Sequence, residues 1–536
     1  MANLNGNNGN NGNLKGNLNG NKDDQQYLCA EIYHYIINNY TSKWNHEPII
    51  PKKYKKRIKN NSTNYYSIKN NDNNNKGVKF TGYGVYSPDL ITNNSETNNS
   101  ETNLGNNIFF NKYREIYTKP VKKSITTINC KNGYSNNNKN IFLERMNNAT
   151  IANKKKYFNT DVPESLTHNN GFITYITVPE NAKVINFGDF HGSFHTFLRI
   201  FERFKLLGII TYIGDTLSIA DDYYILFCGD ILDRGTYAME ILDFMFELMI
   251  NSPNNIIYIR GNHEVESVYQ EMQFKNEIYF KISRKESSKF KDFFTYLPTS
   301  VIIHYEKTDL KYIACHGCIP ISTNNNDPWK ELNINNLIKN NNTNKKNNYI
   351  ILDELIAKQF RWNDLTTNSG FFKSEERSKY AAGNGDVYNI SYSDLNSFLD
   401  KFNLNFLIRG HQDSDANTVL FGNEKYAEKG NYPTGTNILD IINNSNNNKI
   451  KKKVPSKLIS NINTIKNHTP NTGPIARINF TNEQKISYKH DTNVNTYLKS
   501  NNLKSNNIKA ITLSTNTDFG RPLYIDSFLI IFVSKK

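Results

Sequence analysis

Five short motifs between residues 188 and 412 carry residue types that can bind metal ions. They read Gly-Asp-Phe-His-Gly at 188–192, Gly-Asp-Ile-Leu-Asp-Arg-Gly at 229–235, Gly-Asn-His-Glu at 261–264, His-Gly at 316–317 and Arg-Gly-His-Gln at 409–412. Aspartate, asparagine and histidine offer the oxygen and nitrogen ligands that suit manganese, iron or zinc. Two such divalent ions can share one carboxylate, polarise phosphoryl oxygens and lower the pKa of a water. The motifs therefore predict a two-metal site for phosphoester hydrolysis.

Each motif follows a short apolar run that predicts a buried strand. These runs are rich in β-branched and aromatic residues and comprise residues 184–187, 224–228, 256–260, 312–315 and 406–409. In an open α/β sheet, ligands gather beyond the carboxyl ends of the strands, so five such ends can converge on one site. Helical patterns at 194–207 and 237–250 supply crossovers between strands.

In identity, order and approximate spacing, the five motifs resemble those of the phosphoprotein phosphatases, a serine/threonine-specific family of the calcineurin-like metallophosphoesterase superfamily. The resemblance covers about 183–432 and resumes near 508. It implies an α/β fold in which two mixed β-sheets pack as a sandwich and are flanked by helices. Nucleases and cyclic-nucleotide diesterases of the superfamily usually read GNHD and end on GHxH. This chain has Glu264 and Asp413 at those places, which favours the protein phosphatases.

The resemblance also implies the metal ligands, which all belong to the motifs: Asp189, His191, Asp230, Asn262, His316 and His411. Asp230 would bridge the two ions. Asp189 and His191 would complete the first site.

The same resemblance implies the groups that act on substrate. Arg234 would clamp the phosphate together with Asn262, and His263 would protonate the leaving group. Asp233 lies three residues after Asp230, where it can hold the imidazole of His263 in its protonated form.

The family's second phosphate-binding arginine falls, by its place in the sequence, on Asn384. Three other arginines are candidates to bind the phosphate in place of this missing arginine: Arg361, Arg377 and Arg521. We predict Arg377, because residues 379–385 look like a local insertion that could carry this arginine back over the metals.

Composition, together with the extent that the resemblance implies for the catalytic domain, divides the 536 residues into four parts. Residues 1–22 are almost entirely Asn and Gly and predict a disordered tail. Residues 23–182 form an N-terminal extension of unknown role. The catalytic domain is expected at 183–435 and 508–536, interrupted by a polar insertion at 436–507.

The formal net charge is +15, from 65 Lys and Arg against 50 Asp and Glu. Many of the lysines lie among asparagines in low-complexity segments, without the interleaved aromatic residues of a base-stacking surface. We therefore expect no nucleic-acid partner. Five cysteines give no disulfide framework, which suits a reducing compartment. No signal peptide or membrane-spanning run is recognisable, so we expect a cytoplasmic or nuclear protein without membrane contact.

Three functions fit this pattern. The first is a metal-dependent serine/threonine protein phosphatase, whose substrate is a phosphoprotein and whose regulatory partner would bind the N-terminal extension or the insertions. The alternative is a phosphatase of nucleotides or dinucleoside polyphosphates, whose site can use the same metals and one arginine. The third is a catalytically weak protein that binds RNA or a partner through its basic, Asn-rich segments.

Overall fold

The computed structural model describes the chain in nineteen segments: 26–36, 136–192, 197, 200–201, 204–205, 207–213, 216–234, 237–272, 274–321, 329–341, 348–366, 368–381, 386–412, 418–421, 436–437, 476–480, 485–487, 508–515 and 525–535. The predicted tail at 1–22 lies outside these residues, as do Asn384, Asp413 and Arg521.

Seven described strands form the first mixed sheet. In order across the sheet they are Lys485–Ser487 (β18), Ala476–Phe480 (β17), Gln26–Ile36 (β1), Ile525–Lys535 (β20), Lys183–Phe187 (β3), Tyr223–Phe227 (β6) and Ile256–Tyr258 (β7). Strands β3, β6 and β7 run parallel, whereas β20 is antiparallel to both of its neighbours.

Eight described strands form the second mixed sheet. In order they are Tyr349–Leu352 (β10), Gly171–Val178 (β2), Ser300–Tyr305 (β8), Lys311–Cys315 (β9), Leu407–Arg409 (β14), Ala510–Leu513 (β19), Thr418–Phe421 (β15) and Thr436–Asn437 (β16). Strands β9, β14 and β19 run parallel at its centre. Two small sheets stand apart, made of Asp364–Leu365 (β11), Tyr388–Ile390 (β13) and Phe372–Lys373 (β12), and of Ile210–Ile213 (β4) and Thr216–Ile219 (β5).

Nine α-helices lie in the described segments, some of them a single turn. They are Asn136–Phe158 (α1), Ala238–Asn251 (α2), Glu266–Tyr269 (α3), Phe274–Glu277 (α4), Ser287–Thr295 (α5), Ile334–Asn341 (α6), Glu354–Trp362 (α7), Glu375–Tyr380 (α8) and Tyr392–Lys401 (α9). None of the helices in the described part of the chain is long and apolar enough to cross a bilayer.

The two sheets pack face to face through the alternating side chains of their strands. Val184 of β3 lies in the cluster between the sheets, with Val301 and Ile303 of β8. The next residue along β3, Ile185, points the other way and packs with the helical layer that contains α2. Period-two alternation is what places successive strand side chains on opposite faces. The predicted α/β sandwich with flanking helices is confirmed.

Parts of the predicted extension and insertion are built into these sheets. Strand β1 pairs with β20 along all of Gln26–Ile36, and β17 pairs with the other edge of β1. Helix α1 packs beside α2, where Arg145 contacts Asp243 at 2.9 Å. The four-part division of the chain stays a prediction. Strands β1, β2 and β17, which come from the predicted extension and insertion, lie in the two sheets, and helix α1 of the extension packs beside α2.

Candidate metal centre and active site

The carboxyl ends of five strands meet at one edge of the sandwich. Parallel strands β3, β6 and β7 lead into three of the motifs there, and parallel strands β9 and β14 of the other sheet lead into the other two. The residues predicted as metal ligands all lie at this edge and are all buried: Asp189, His191, Asp230, Asn262, His316 and His411.

Asp230 lies at the centre of the site. Its Oδ2 atom is 3.6 Å from Nε2 of His191, 3.8 Å from Nε2 of His263 and 3.2 Å from Nε2 of His316. Two groups of potential metal ligands share this carboxylate, one with His191 and His263 and the other with His316 and His411. The arrangement therefore has the form of two adjacent cation sites with a common carboxylate.

Hydrogen bonds fix the tautomer of His191. Its Nδ1 atom donates to the Leu232 carbonyl oxygen at 2.8 Å. This leaves Nε2 as the lone-pair atom, and Nε2 has no hydrogen-bond partner among the described residues. Burial, together with the charge of Arg234, holds the pKa of His191 well below its usual value. A neutral imidazole with its lone pair turned toward carboxylates is the state of a metal ligand.

His316 faces a second set of acceptors. Its Nδ1 atom donates to the Cys228 carbonyl oxygen at 2.8 Å, and its Nε2 atom lies 2.7 Å from Oδ1 of Asn262. Nδ1 of His411 lies 3.0 Å from that same oxygen. Because Nδ1 of a neutral His316 donates to Cys228, its Nε2 atom would meet the Asn262 oxygen as acceptor against acceptor. A cation among them would satisfy all of them at once.

The pKa of His316 also shows that this position favours a positive charge. Burial alone would lower its pKa, but the carboxylates around it, Asp230 first, raise the pKa to about 9. Burial also favours a high pKa for Asp230, yet its imidazole neighbours hold that pKa well below the ordinary value. The pocket thus favours positive charge at Nε2 of His316, and a divalent ion can take the place of the proton.

The unpartnered Nε2 atom of His191 and the acceptor cluster around Asn262 fit a pair of divalent cations. Carboxylate, amide and imidazole donors also suit manganese, iron or zinc. Nε2 of His411 is a further buried atom without a hydrogen-bond partner in the described residues.

His263 forms a close pair with Asp233. Nδ1 of His263 lies 2.7 Å from Oδ2 of Asp233, and the other carboxylate oxygen accepts the Phe274 backbone N–H at 2.8 Å. Burial works to lower the pKa of His263, but Asp230 and Asp233 raise it above the usual value. Asp233 therefore orients the ring and favours its protonated form.

Left-handed backbone recurs at this edge. His191, Asp230, Asp233, Arg234 and His411 all have positive φ, between 46° and 72°. Such conformations cost a non-glycine residue energy, and they gather where function demands a particular side-chain direction.

Two glycines permit the close approach of the motif loops. A Cβ atom on Gly261 would collide with the Asp230 carboxylate, and one on Gly410 would collide with that of Asp189. At these two positions, next to Asn262 and His411, any side chain would collide with a carboxylate, so glycine is required.

Glu264 organises the site without facing substrate. Its two carboxylate oxygens accept the backbone N–H groups of Asp230, Ile231 and Gly261 at 2.8–2.9 Å, and the Tyr258 hydroxyl at 2.8 Å. It therefore ties the end of β6 to the end of β7. The sequence analysis used Glu264 only to separate subfamilies. Its place as the last residue of the third motif was the available signal for this role.

The predicted arginines occupy different surroundings. Arg234 is partly buried and lies near His191 and His263. Its charge joins burial in lowering the pKa of His191, and at His263 it opposes part of the rise in pKa that Asp230 and Asp233 cause. Arg377, in the first turns of α8, donates from Nε to Oδ2 of Asp364 at 3.0 Å. Burial, together with the charge of Arg377, lowers the pKa of His411.

Asp364 links Arg377 to the metal edge, a role that the sequence did not indicate. Its Oδ1 atom lies 3.6 Å from Nε2 of His411. Arg361, another candidate for the second clamp, is instead 3 % exposed and donates to the carbonyl oxygens of Asn169 and Asn170. Its place in the core removes it as a phosphate ligand.

The sequence profile of the calcineurin-like phosphoesterases matches residues 182–414. Serine/threonine-protein phosphatase 5 of Arabidopsis thaliana is 33% identical over 129 residues, which are 24% of this chain and 22% of that protein. Serine/threonine-protein phosphatase 2B catalytic subunit A1 of Saccharomyces cerevisiae is 26% identical over 239 residues, or 44% of this chain and 39% of that one. The chain thus spans less than half the length of these curated relatives.

Among solved structures, a protein serine/threonine phosphatase from Saccharomyces cerevisiae with similarity to human phosphatase PP5 superposes with a TM-score of 0.38 at 19% identity, covering 53% of this chain and 74% of that chain. The matched profile includes all five motifs, and the relatives confirm the resemblance to serine/threonine protein phosphatases. Residues 182–414 of this chain are therefore similar in sequence to the calcineurin-like phosphoesterases.

Proposed function

We propose that this chain is a metal-dependent protein phosphatase that hydrolyses phosphoserine and phosphothreonine. The observation that carries the proposal is the Asp230 carboxylate, which is shared by two groups of buried metal-binding side chains. The His263–Asp233 pair, 3.8 Å from that carboxylate, supplies an acid beside them. Matches to named serine/threonine phosphatases support the choice of substrate class.

Six side chains would hold the two ions, with Asp230 common to both sites. Asp189 and His191 would complete the first site, and Asn262, His316 and His411 the second. Bound there, manganese, iron or zinc would polarise the phosphoryl oxygens and lower the pKa of an attacking water.

His263 is proposed as the general acid. The Asp233 carboxylate accepts the Nδ1 proton, so the proton on Nε2 is the one available to the leaving alkoxide. The raised pKa of His263, caused by Asp230 and Asp233 against the lowering effect of burial, favours the ring that carries this proton. Asp233 acts through the ring and does not contact substrate.

Arg234 and Asn262 are proposed to hold the phosphoryl group, with Arg377 as the second arginine. Support for Arg377 is its electrostatic reach to His411 and its ion pair with Asp364 at the edge of the site. Since its side chain is 35% exposed, it is accessible to a ligand that arrives from solvent. A guanidinium forms paired, charge-assisted hydrogen bonds with phosphate oxygens.

Arg377→Ala is expected to lower kcat/KM on a phosphoserine peptide by about 10–100-fold, because a charged hydrogen bond contributes about 1.5–3 kcal/mol. Metal content should not change. Lys379→Ala is the matched control, since Lys379 is an exposed cation on the same helix. A loss within twofold for Arg377→Ala, with normal protein and metal, would assign the second clamp to another group.

The substrate class is tested by comparing p-nitrophenyl phosphate, a phosphoserine peptide and diadenosine tetraphosphate. Each is assayed with manganese and with a chelator. We expect metal-dependent turnover with the phosphopeptide preferred by kcat/KM. Preference for diadenosine tetraphosphate would indicate a nucleotide phosphatase, and absence of turnover on all three would indicate a binding protein.

The remaining assignments rest on this function. The catalytic domain is proposed to comprise 183–435 and 508–536 together with strands β1, β2 and β17, which pair into its sheets. A regulatory partner would bind the rest of the extension at 23–182 or of the insertion at 436–507. The activity of a variant that lacks residues 1–22, compared with that of the full chain, measures what this tail contributes.

A further inference from the structure

Two arginines lie buried behind the metal edge and are not used by the proposed reaction. Arg260 lies two residues after the end of β7 and is fully buried, and Arg361 lies in the last turn of α7 at 3 % exposure. Their Nη1 atoms donate to the same acceptor, the Asn170 carbonyl oxygen, each at 3.4 Å. The two guanidinium groups therefore lie side by side in the core.

The protein partners of this pair are neutral. Arg260 donates from Nη2 to the His168 carbonyl oxygen at 2.6 Å, and Arg361 donates from Nη2 to that of Asn169 at 3.3 Å. Among the described residues, neither guanidinium forms an ion pair with a carboxylate, and the Nε atom of each has no hydrogen-bond partner.

The neighbouring ionisable groups do not neutralise the pair. Nε2 of His168 accepts the Glu266 backbone N–H at 2.8 Å, which makes the ring a neutral imidazole. Burial, with the charges of Arg260 and Arg361, places the pKa of His168 far below its usual value. Two carboxylates act on the pair from a distance, Glu264 on Arg260 and Glu354 on Arg361. The oxygens of Glu264 already accept backbone N–H groups and the Tyr258 hydroxyl.

Two further buried donors lie in the same region. The hydroxyls of Thr299 and Tyr269 have no hydrogen-bond partner among the described residues. Thr299 packs against Gly171, which follows the shared acceptor Asn170. Tyr269 is close enough to Arg260 for each to affect the pKa of the other.

Two buried positive charges and a set of unsatisfied donors are costly without a counter-charge. From the shared position of Arg260 and Arg361, their free Nε donors and the nearby hydroxyls, we propose that this cluster binds a small inorganic anion. Guanidinium groups suit such a ligand, because they are donor-only, permanently charged and less strongly hydrated than ammonium groups.

The location gives the anion a structural effect on the active site. Arg260 immediately precedes Gly261 and Asn262, while the backbone of Arg361 lies so close to Gly317 that a Cβ atom there would collide with it. An anion held by both arginines would connect the segment that carries Asn262 with the one that carries His316.

The first test compares the melting temperature of the full-length, metal-loaded protein in sodium chloride and in sodium gluconate at equal ionic strength. Gluconate is too large to occupy a buried ion site. We expect chloride to raise Tm by about 2–4 °C, because a ligand that binds only the folded state stabilises it. Arg361→Met removes one charge at similar length and should abolish the difference. Arg284→Met, at an exposed arginine, should retain it.

Equal melting temperatures of the wild type in the two salts, or an unchanged difference in Arg361→Met, would overturn the proposal. A second measurement needs no variant. Crystals grown in bromide should show an anomalous peak within hydrogen-bond distance of the Arg260 and Arg361 guanidinium groups. Ordered water without an anomalous peak at that position would also overturn the proposal. Neither outcome depends on phosphatase activity, so failure here is distinct from failure of the proposed function.

Discussion

Asp230→Asn is expected to lose most of its bound metal and to lower kcat by about 10²–10³-fold or more, the range observed when a group that stabilises developing charge is removed. The substitution preserves the shape of the side chain. It also keeps one oxygen that can accept the His263 backbone N–H, as Oδ1 of Asp230 does at 3.0 Å. It removes the negative charge that lies beside three imidazoles. Both proposed ions lose a ligand at once.

The measurements are metal content of the purified protein by mass spectrometry and kcat on p-nitrophenyl phosphate. Asp243→Asn is the matched control, because Asp243 is also a buried carboxylate but pairs with Arg145 on the helical layer. This control should keep its metal. Two ions bound at wild-type affinity, with normal turnover in Asp230→Asn, would show that the proposed site is wrong.

His263→Ala is expected to reduce turnover of a phosphoserine peptide by about 10²–10⁴-fold, the usual contribution of general acid catalysis. The serine alkoxide needs a proton to leave, whereas nitrophenolate hardly does. The reduction should therefore be much smaller on p-nitrophenyl phosphate. Asp233→Asn should show the same dependence on leaving group with a smaller loss, because it disturbs only the orientation and protonation of the ring.

Metal content decides between two roles for His263. Its Nε2 atom lies 3.8 Å from the Asp230 carboxylate and within the first group of potential ligands. An acid can be removed with both ions retained, whereas a ligand cannot. His304→Ala is the control, because Nε2 of His304 contacts the Thr308 carbonyl oxygen away from the site. Equal losses on both substrates, accompanied by loss of metal, would make His263 a ligand.

The convergence of the predicted metal ligands could be predicted because each one lies within four residues of the end of a strand. Asp189 follows β3 and His316 follows β9, so parallel pairing and sheet packing were enough to bring their side chains to one edge. The period-two alternation of Val184 and Ile185 likewise matches a strand buried on both faces.

Other features depend on contacts that local patterns do not encode. The partners of Glu264 include backbone N–H groups 33 and 34 residues away, and a backbone group leaves no mark in the sequence. The placement of Arg361 in the core is of the same kind, because an arginine at the end of an amphipathic helix ordinarily faces water. Strand β1 finds its partner in β20, almost 500 positions later, and its alternating residues do not identify that partner.

Strand β20 has a consequence for how the protein is made. It lies between β1 and β3, yet it is the last of the described strands to leave the ribosome. Until then, the parallel unit of β3, β6 and β7 presents the open edge of β3, and β1 can pair only with β17. Unpaired strand edges promote association between nascent chains. Folding of the catalytic sheet should therefore finish after synthesis of β20, and chains stalled before residue 525 should be the ones that chaperones retain.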